Sequence, residues 1–436
     1  MTMRVGFSEI VITPPVGITL GGYSARKEPS CGVHDDLHVR SFRFVDGKEI
    51  FLLIVCEVLG LPLSFVEETR AKIARTIPIN PQNVLIIATH THSGPDLPTF
   101  IRENLEREWL TVFSNQIVGS ALVAWNNLSE ACLKYSLGSI SGIGVNRRNP
   151  ASGLVDNDVS VLVIEDKNKV KKGVIFNYAC HPVVLGPDNL LITADYPGFT
   201  SAALKSVFGN ELCAAFTLGA CGDVNTGHSA DLSAIGEEIP GRTFERAQSL
   251  GYKLAGEVVK GVESSREIED KLIVKHLMVN LPLRKLSSLE KAEKKLSSWL
   301  GRLEEMEHDI PSFLEKEEQI KKEIVYAEVE RDLAREIKRR KAQKEVKTEL
   351  HVAILGDVAL VFLPGEVFVE IGIDIKKMSP FENTIVITMA NDYFGYLPTR
   401  EAFLEGGYEA VASPFDENAA GIIEQAIEKA FKDVQD

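Results

Sequence analysis

Val84-Leu-Ile-Ile-Ala-Thr89, running straight into His90-Thr-His92-Ser-Gly-Pro95, decides how this chain is read. A short, β-branched, uninterrupted apolar run is the signature of a strand buried on both faces. The same pattern recurs at Glu49–Cys56, at residues 159–165 and 173–179, and again at 214–218, 350–355, 358–363 and 384–390. The polar turn 166–172 makes the second and third of these an antiparallel pair, and Gly356-Asp357 marks a two-residue hairpin. Helical patterns separate the strands at 103–125, 243–262, from Glu366, and at 417–432. The order predicts an α/β protein with mixed β-sheets flanked by helices. At the N-terminus, residues 1–15 read as a strand ending at a Pro-Pro turn.

One stretch departs from this grammar. Residues 285–347 hold 16 basic and 15 acidic residues, with apolar positions at helical spacing from Leu286 to Met306 and from Ile320 to Ile337. Pro311 breaks the pattern. We expect an inserted, charged helical hairpin that acts as a strut or a dimer arm, packed away from any substrate pocket. A lid over a site is the rival reading. The chain carries a net charge of −14, and the insert sums to +1, so the acidity lies in the rest. The chain lacks the basic footprint that a nucleic-acid partner calls for. The longest apolar run falls well short of the ~20 residues that cross a bilayer. Six scattered cysteines without a CxxC pair, and no apolar leader core, predict a reduced, cytoplasmic protein.

Several residues stand where strands end. In His90-Thr-His92, period-two alternation points both imidazoles to one side, a pattern that suits zinc or serves a structural role. His181 closes Tyr178-Ala-Cys-His-Pro182 in the same setting. Glu366 ends Leu363-Pro-Gly-Glu, as a ligand or as an acid favouring a helix N-terminus. Asn391-Asp-Tyr-Phe-Gly-Tyr396 follows another strand, with Tyr408 twelve residues on. Gly219-Ala-Cys-Gly-Asp223-Val-Asn225 reads as a small-residue loop that permits close backbone approach, and Arg147 as a cation for a developing oxyanion. Glu57, Asp195 and Asp223 are further acidic candidates, either orienting a histidine or bonding backbone amides.

Taken in order, these blocks resemble the neutral/alkaline ceramidase family: ATHTHSGP at 88–95, NRR at 146–148, ACHP at 179–182 and ADYPG at 194–198. GDVN at 222–225, PGE at 364–366, NDYFGYLPT at 391–399 and YEA at 408–410 complete the series. The resemblance implies one catalytic body over residues 1–436 with one zinc ion, held by His90, His181, Glu366 and Tyr396. It further implies that His92, Arg147 and Tyr408 face the substrate carbonyl and leaving group. The implied reaction is hydrolysis of an N-acyl amide on a small-molecule or lipid-like substrate. This chain has Asn225 where the family carries a serine, so the expected nucleophile is metal-activated water, with Asn225 as a hydrogen-bond donor. The chain also stops where the family's immunoglobulin-like C-terminal domain would begin, so none is expected. A related ester or small-amide metallohydrolase, or a non-catalytic metal-binding scaffold, remain alternatives, and a homo-oligomer joined through the hairpin is a further expectation.

Overall fold

The computed structural model describes residues 2–47, 49–97, 104–306, 310–342 and 344–435. Two mixed sheets stack face to face, with helices on both outer faces. The larger sheet is built from β1 (Arg4–Val11), β2 (His38–Asp46), β3 (Glu49–Cys56), β4 (Val84–Ala88), β5 (Ser129–Ser139), β6 (Asp158–Asp166), β7 (Lys171–Tyr178) and β8 (Cys213–Leu218). Its spatial order is β8-β7-β6-β5-β1-β2-β3-β4. The outer pairs β3–β4 and β7–β8 are parallel, while β6–β7 is antiparallel as its polar turn predicts. The smaller sheet runs β9 (Leu272–Pro282), β10 (Glu345–Leu355), β11 (Val358–Phe362) and β12 (Asn383–Ile387), the last pair parallel. Gly356 takes φ 62° in the tight β10–β11 turn, a conformation glycine adopts without Cβ strain.

The apolar runs are continuous because both faces of each strand are covered. On β3, Leu52, Ile54 and Cys56 join Val66 and Ile73 of α1 (Leu63–Thr76) and Phe113 and Ile117 of α2 (Asn104–Asn126). The alternate residues Phe51, Leu53 and Val55 meet Leu360, Phe362, Ile385 and Ile387 of the smaller sheet. Phe51 and Phe362 touch edge to face, their centroids 5.8 Å apart. On the far side of the smaller sheet, Leu350, Val352 and Ile354 pack on helices Val369–Met378 and Ala419–Gln435. Each fully buried aliphatic contributes roughly 1.5–3 kcal/mol of burial. Helices α3 (Asp195–Phe208) and α4 (Phe244–Ser264) complete the cover of the larger sheet.

The charged insert connects β9 to β10, which pair antiparallel along their whole length from Leu272↔Leu355 to Pro282↔Glu345. It forms two helices, α5 (Leu289–Met306) and α6 (Ile310–Arg339). Residues 307–309, next to the break expected at Pro311, lie outside the described residues; α6 begins at Ile310, so Pro311 stands in its first turn. Leu296, Ile320, Ile324 and Ala327 form the seam between the two helices. Val329 and Ile337 of α6 pack on the outer core of the smaller sheet.

Glu57 lies in the fold rather than in the site. Its carboxylate accepts from Arg40 Nη1 at 2.6 Å and from the His38 backbone amide at 2.7 Å. Burial alone would raise its pKa, but Arg40 and His38 hold it down at about 2. A depressed carboxylate contributes stability that is present above its unfolded value, near 4.5, and is lost as pH falls through the folded one. Glu57→Gln should therefore cost about 3 kcal/mol at pH 7 and much less near pH 2, read by urea unfolding at the two pH values. An equal loss at both would contradict this.

Candidate metal centre and cavity

The site forms where strands of both sheets end at their carboxyl side. The Asn391 amide donates to Ile86 O, the Thr388 amide to Leu218 O, and the Ala88 amide to Met389 O. These bonds bring the ends of β4, β8 and β12 together. His90 follows β4, His181 follows β7, and Glu366 follows β11. His90, Met389 and Asn391 all take positive φ, at 69°, 59° and 63°. Such clustered left-handed residues cost energy and mark segments held by their surroundings.

His90 and His92 do lie on one side, although the strand ends at Ala88 and the turn depends on the left-handed His90. Their Nε2 atoms are 3.3 Å apart, with the rings edge to face. His181 Nε2 is 2.9 Å from Glu366 Oε2, and His90 Nε2 is 3.4 Å from the same oxygen. The second nitrogens settle the tautomers. His90 Nδ1 meets Leu59 O at 2.7 Å, and His181 Nδ1 meets Val224 O at 3.0 Å. Carbonyl oxygens only accept, so both Nδ1 atoms carry a proton, and in the neutral ring each Nε2 then presents a lone pair.

Electrostatics fits that assignment. Burial, with Arg147 nearby, pushes His181 down to about 4, so the ring is neutral. Burial and the two neighbouring histidines lower His92 well below the usual range. Burial would raise Glu366, but His90 and His181 hold its carboxyl well below the usual value. Two imidazole nitrogens and a carboxylate oxygen thus converge, and once a proton shared between them leaves they form a donor set for a divalent metal.

His92 differs from its neighbours. Its Nδ1 is buried with no hydrogen-bond partner among the described residues, and its ring lines a cavity of about 950 Å³ together with Glu366, Tyr393, Tyr396 and Tyr408. Arg26 Nη1 donates to the His92 carbonyl at 2.7 Å, and Tyr23 packs edge-on at 4.9 Å. A Cβ on Gly22 would come within 2.3 Å of His92 Nδ1, and Gly22 has φ 95°. Gly22→Ala should displace the ring, lowering turnover at least tenfold with metal content kept, as kinetics beside metal analysis would read; an unchanged rate would contradict it.

Glu366 is not at a helix start. It pairs through a two-residue bridge, Glu366–Val367 with Tyr396–Leu397, in parallel register. The helix begins at Val369, so the alternative of a carboxylate on a helix N-terminus does not apply. The bridge sets Glu366 beside Tyr396. The Tyr396 hydroxyl accepts from Arg147 Nη2 at 3.0 Å, whereas the phenol on the Glu366 carboxylate is that of Tyr393, at 2.8 Å. Arg147 also donates to Glu409 Oε1 and Gly222 O, both at 2.8 Å. Tyr408 packs edge-on to Tyr396, their centroids 6.0 Å apart.

The GDVN loop is built for support. Gly222 donates to Val367 O, and a Cβ there would come within 2.6 Å of Glu366 O. Asn225 is held in its own loop: one Nδ2 hydrogen goes to His228 O, and Oδ1 accepts from the Gly227 and His228 amides, so one Nδ2 hydrogen is left to donate. Asp223 binds Asn146 Nδ2 and the Val369 amide, and Asp195 binds the Leu185 and Tyr196 amides. Both act on backbone and loop partners, not on a histidine. Tyr23, Arg26, Tyr393 and Glu409 were missed. The small-residue run Gly21-Gly-Tyr-Ser-Ala-Arg26 was the available signal for the first two.

The hairpin expectation is corrected. α6 forms a wall of the cavity, lining it through Glu328, Arg331, Arg335 and Arg339 among others. Arg340 at its end binds Asp392 with two bonds of 2.7 Å. A second cluster, His276, Glu349 and His351, also brings metal-type ligands together. There Arg70 pairs with Glu349, and His351 Nε2 meets Gln82 O at 3.1 Å, so the cluster is satisfied without an ion.

The profile of the neutral/alkaline non-lysosomal ceramidase family, N-terminal part, matches residues 3–237, more than half of the chain. A neutral ceramidase of Mycobacterium tuberculosis is 28% identical over 263 residues, 53% of this chain and 41% of that protein. A neutral ceramidase of Drosophila melanogaster is 24% identical over 343 residues, 64% of this chain and 48% of that protein. The chain thus spans about half the length of the curated relatives it matches. The crystal structure of neutral ceramidase from Pseudomonas aeruginosa shares the fold, with TM-score 0.75 at 17% identity over 98% of this chain and 74% of that one. No helix among the described residues is long and apolar enough to cross a membrane.

Proposed function

Because the chain belongs to the neutral/alkaline non-lysosomal ceramidase family, we propose that it is a zinc-dependent hydrolase of N-acyl amides, acting from one catalytic body into which residues 285–347 are inserted. The observation that carries the reading is the convergence of His90 Nε2, His181 Nε2 and Glu366 Oε2, with the Nδ1 atom of each ring turned away to a backbone carbonyl. These three residues would hold the ion, with Tyr396 beside Glu366 as a further donor. A zinc ion bound there supplies Lewis acidity and lowers the pKa of water toward ~7.

The chain's own groups supply the rest. His92 lines the cavity with Nε2 3.3 Å from His90 Nε2, so it takes the proton from water and returns it to the leaving amine. Burial raises the Tyr408 pKa, keeping its hydroxyl protonated to donate to the developing oxyanion. Arg147 is locked by Glu409 and Gly222 and polarises the Tyr396 hydroxyl. Asn225 holds its loop and forms no acyl-enzyme. Buried free thiols at Cys56, Cys180, Cys213 and Cys221 fit a reducing, cytoplasmic setting.

The test pairs matched N-acyl amides, ceramide among them, with the corresponding esters, with and without a chelator. Chelator-sensitive amide cleavage, no acylated protein on acid quench, and a ~10²-fold loss in Tyr408→Phe are expected. Ester cleavage alone, or a trapped acyl adduct, would overturn it.

A further inference from the structure

We propose that the amine side of the substrate carries an anionic group, a carboxylate or a phosphate, read by Arg331, Arg335 and Arg339 of the hairpin. The inference rests on the amide-hydrolase reading for the orientation of the substrate. The cavity has two unlike walls. One is apolar, lined by Leu20, Leu59, Pro62, Phe65, Leu97 and Leu110, and suits an acyl arm. The other is α6, whose three arginines recur every four residues and so share one helix face toward the cavity, beside Glu328, Asp332 and Glu336. Residues 331–340, Arg-Asp-Leu-Ala-Arg-Glu-Ile-Lys-Arg-Arg, hold five basic and two acidic side chains in a chain of net charge −14.

A second long alkyl arm laid on this face would strip water from the guanidinium groups without replacing their hydrogen bonds. An anionic head would replace them, since the planar guanidinium matches carboxylate and phosphate geometry. Arg331 pairs with Asp332, Arg335 with Asp332 and with Glu293 of α5, and Arg339 with Glu336. These pairs keep partial contact with solvent, and such pairs are weak and can be exchanged for a ligand. The wall also has a fixed position relative to the metal centre. Arg340 grips Asp392, whose neighbour Tyr393 bonds Glu366.

Binding to the full chain, zinc-loaded and carrying His92→Ala to stop turnover, tests this by calorimetry. The probes are N-dodecanoylglycine, N-dodecanoylethanolamine phosphate and the neutral N-dodecanoylethanolamine. An anionic probe should bind about tenfold tighter than the neutral one, the scale of a charge-assisted hydrogen bond. Arg331→Gln with Arg335→Gln should abolish that preference and leave the neutral affinity unchanged. The stronger of the two anionic probes names the head group. Equal affinities for all three probes, or a preference that survives the double variant, would overturn the inference. A double variant that loses the neutral probe as well sends the decision to the lysine pair Arg331→Lys and Arg335→Lys, which must retain the preference. If the protein with His92 intact binds the anionic probe but releases amine from none of the three, the hydrolase reading falls while the binding inference stands.

Discussion

Alanine at His181 should empty the metal centre, taking zinc from about one per chain to near none by elemental analysis. The ring is buried, neutral and fixed by Val224 O, so no neighbour can replace its Nε2 lone pair. Its loss also leaves the ionised Glu366 buried, with Tyr393 and the more distant His90 as its partners. Turnover should then fall to the background of the uncatalysed reaction. His90→Ala should behave alike, since Leu59 O fixes that ring in the same way. His92→Ala should keep its zinc and lose turnover by roughly 10²–10⁴, the range for removing a general acid–base group. The three rings lie together, so equal metal loss from all three variants would make His92 a ligand and reverse its role.

The second large effect concerns the tie between hairpin and site. Asp392 is fully buried, and its carboxylate is held by both terminal nitrogens of Arg340. Arg340→Met leaves that charge in the interior with only a 3.4 Å contact from Thr348 Oγ1. The expected cost is about 3–5 kcal/mol in urea unfolding. Adding Asp392→Asn to this variant should recover part of it, because the uncompensated charge is gone. A single-variant cost below about 1 kcal/mol would show that the pair contributes no more than a surface bridge. Turnover should fall as well, since Asp392 and Tyr393 are consecutive and Tyr393 bonds Glu366.

Much of this architecture was legible because strands buried on both faces leave unbroken apolar runs. β3 and β4 are the clearest cases: Glu49–Cys56 and Val84–Ala88 stand where the runs stand. Three strands were not seen. β2 carries Arg40, Ser41 and Arg43, which break its apolar run yet are buried through bonds to Glu9, Glu57, Ser120 and Trp125 O. β5 and β9 alternate with exposed polar residues and carry long, partly solvated faces. The stacking of two sheets was not legible either, since Phe51 and Phe362 are over 300 positions apart in the chain. At the site, the sequence brought the metal-type residues forward because each ends a strand. It did not show that Asn225 would bond its own loop, as that depends on the path of the 225–228 turn. Nor did it place α6, whose balanced charges resemble a solvated surface until the arginines are seen to line the cavity.

The most direct test is a zinc titration of metal-stripped protein, following amine release from an N-acyl amide. Activity should rise in proportion to added zinc and stop at about one equivalent per chain, with His181→Ala silent throughout. Full activity in the stripped protein under chelator, or no amine at any zinc level, would contradict a single hydrolytic metal at His90, His181 and Glu366.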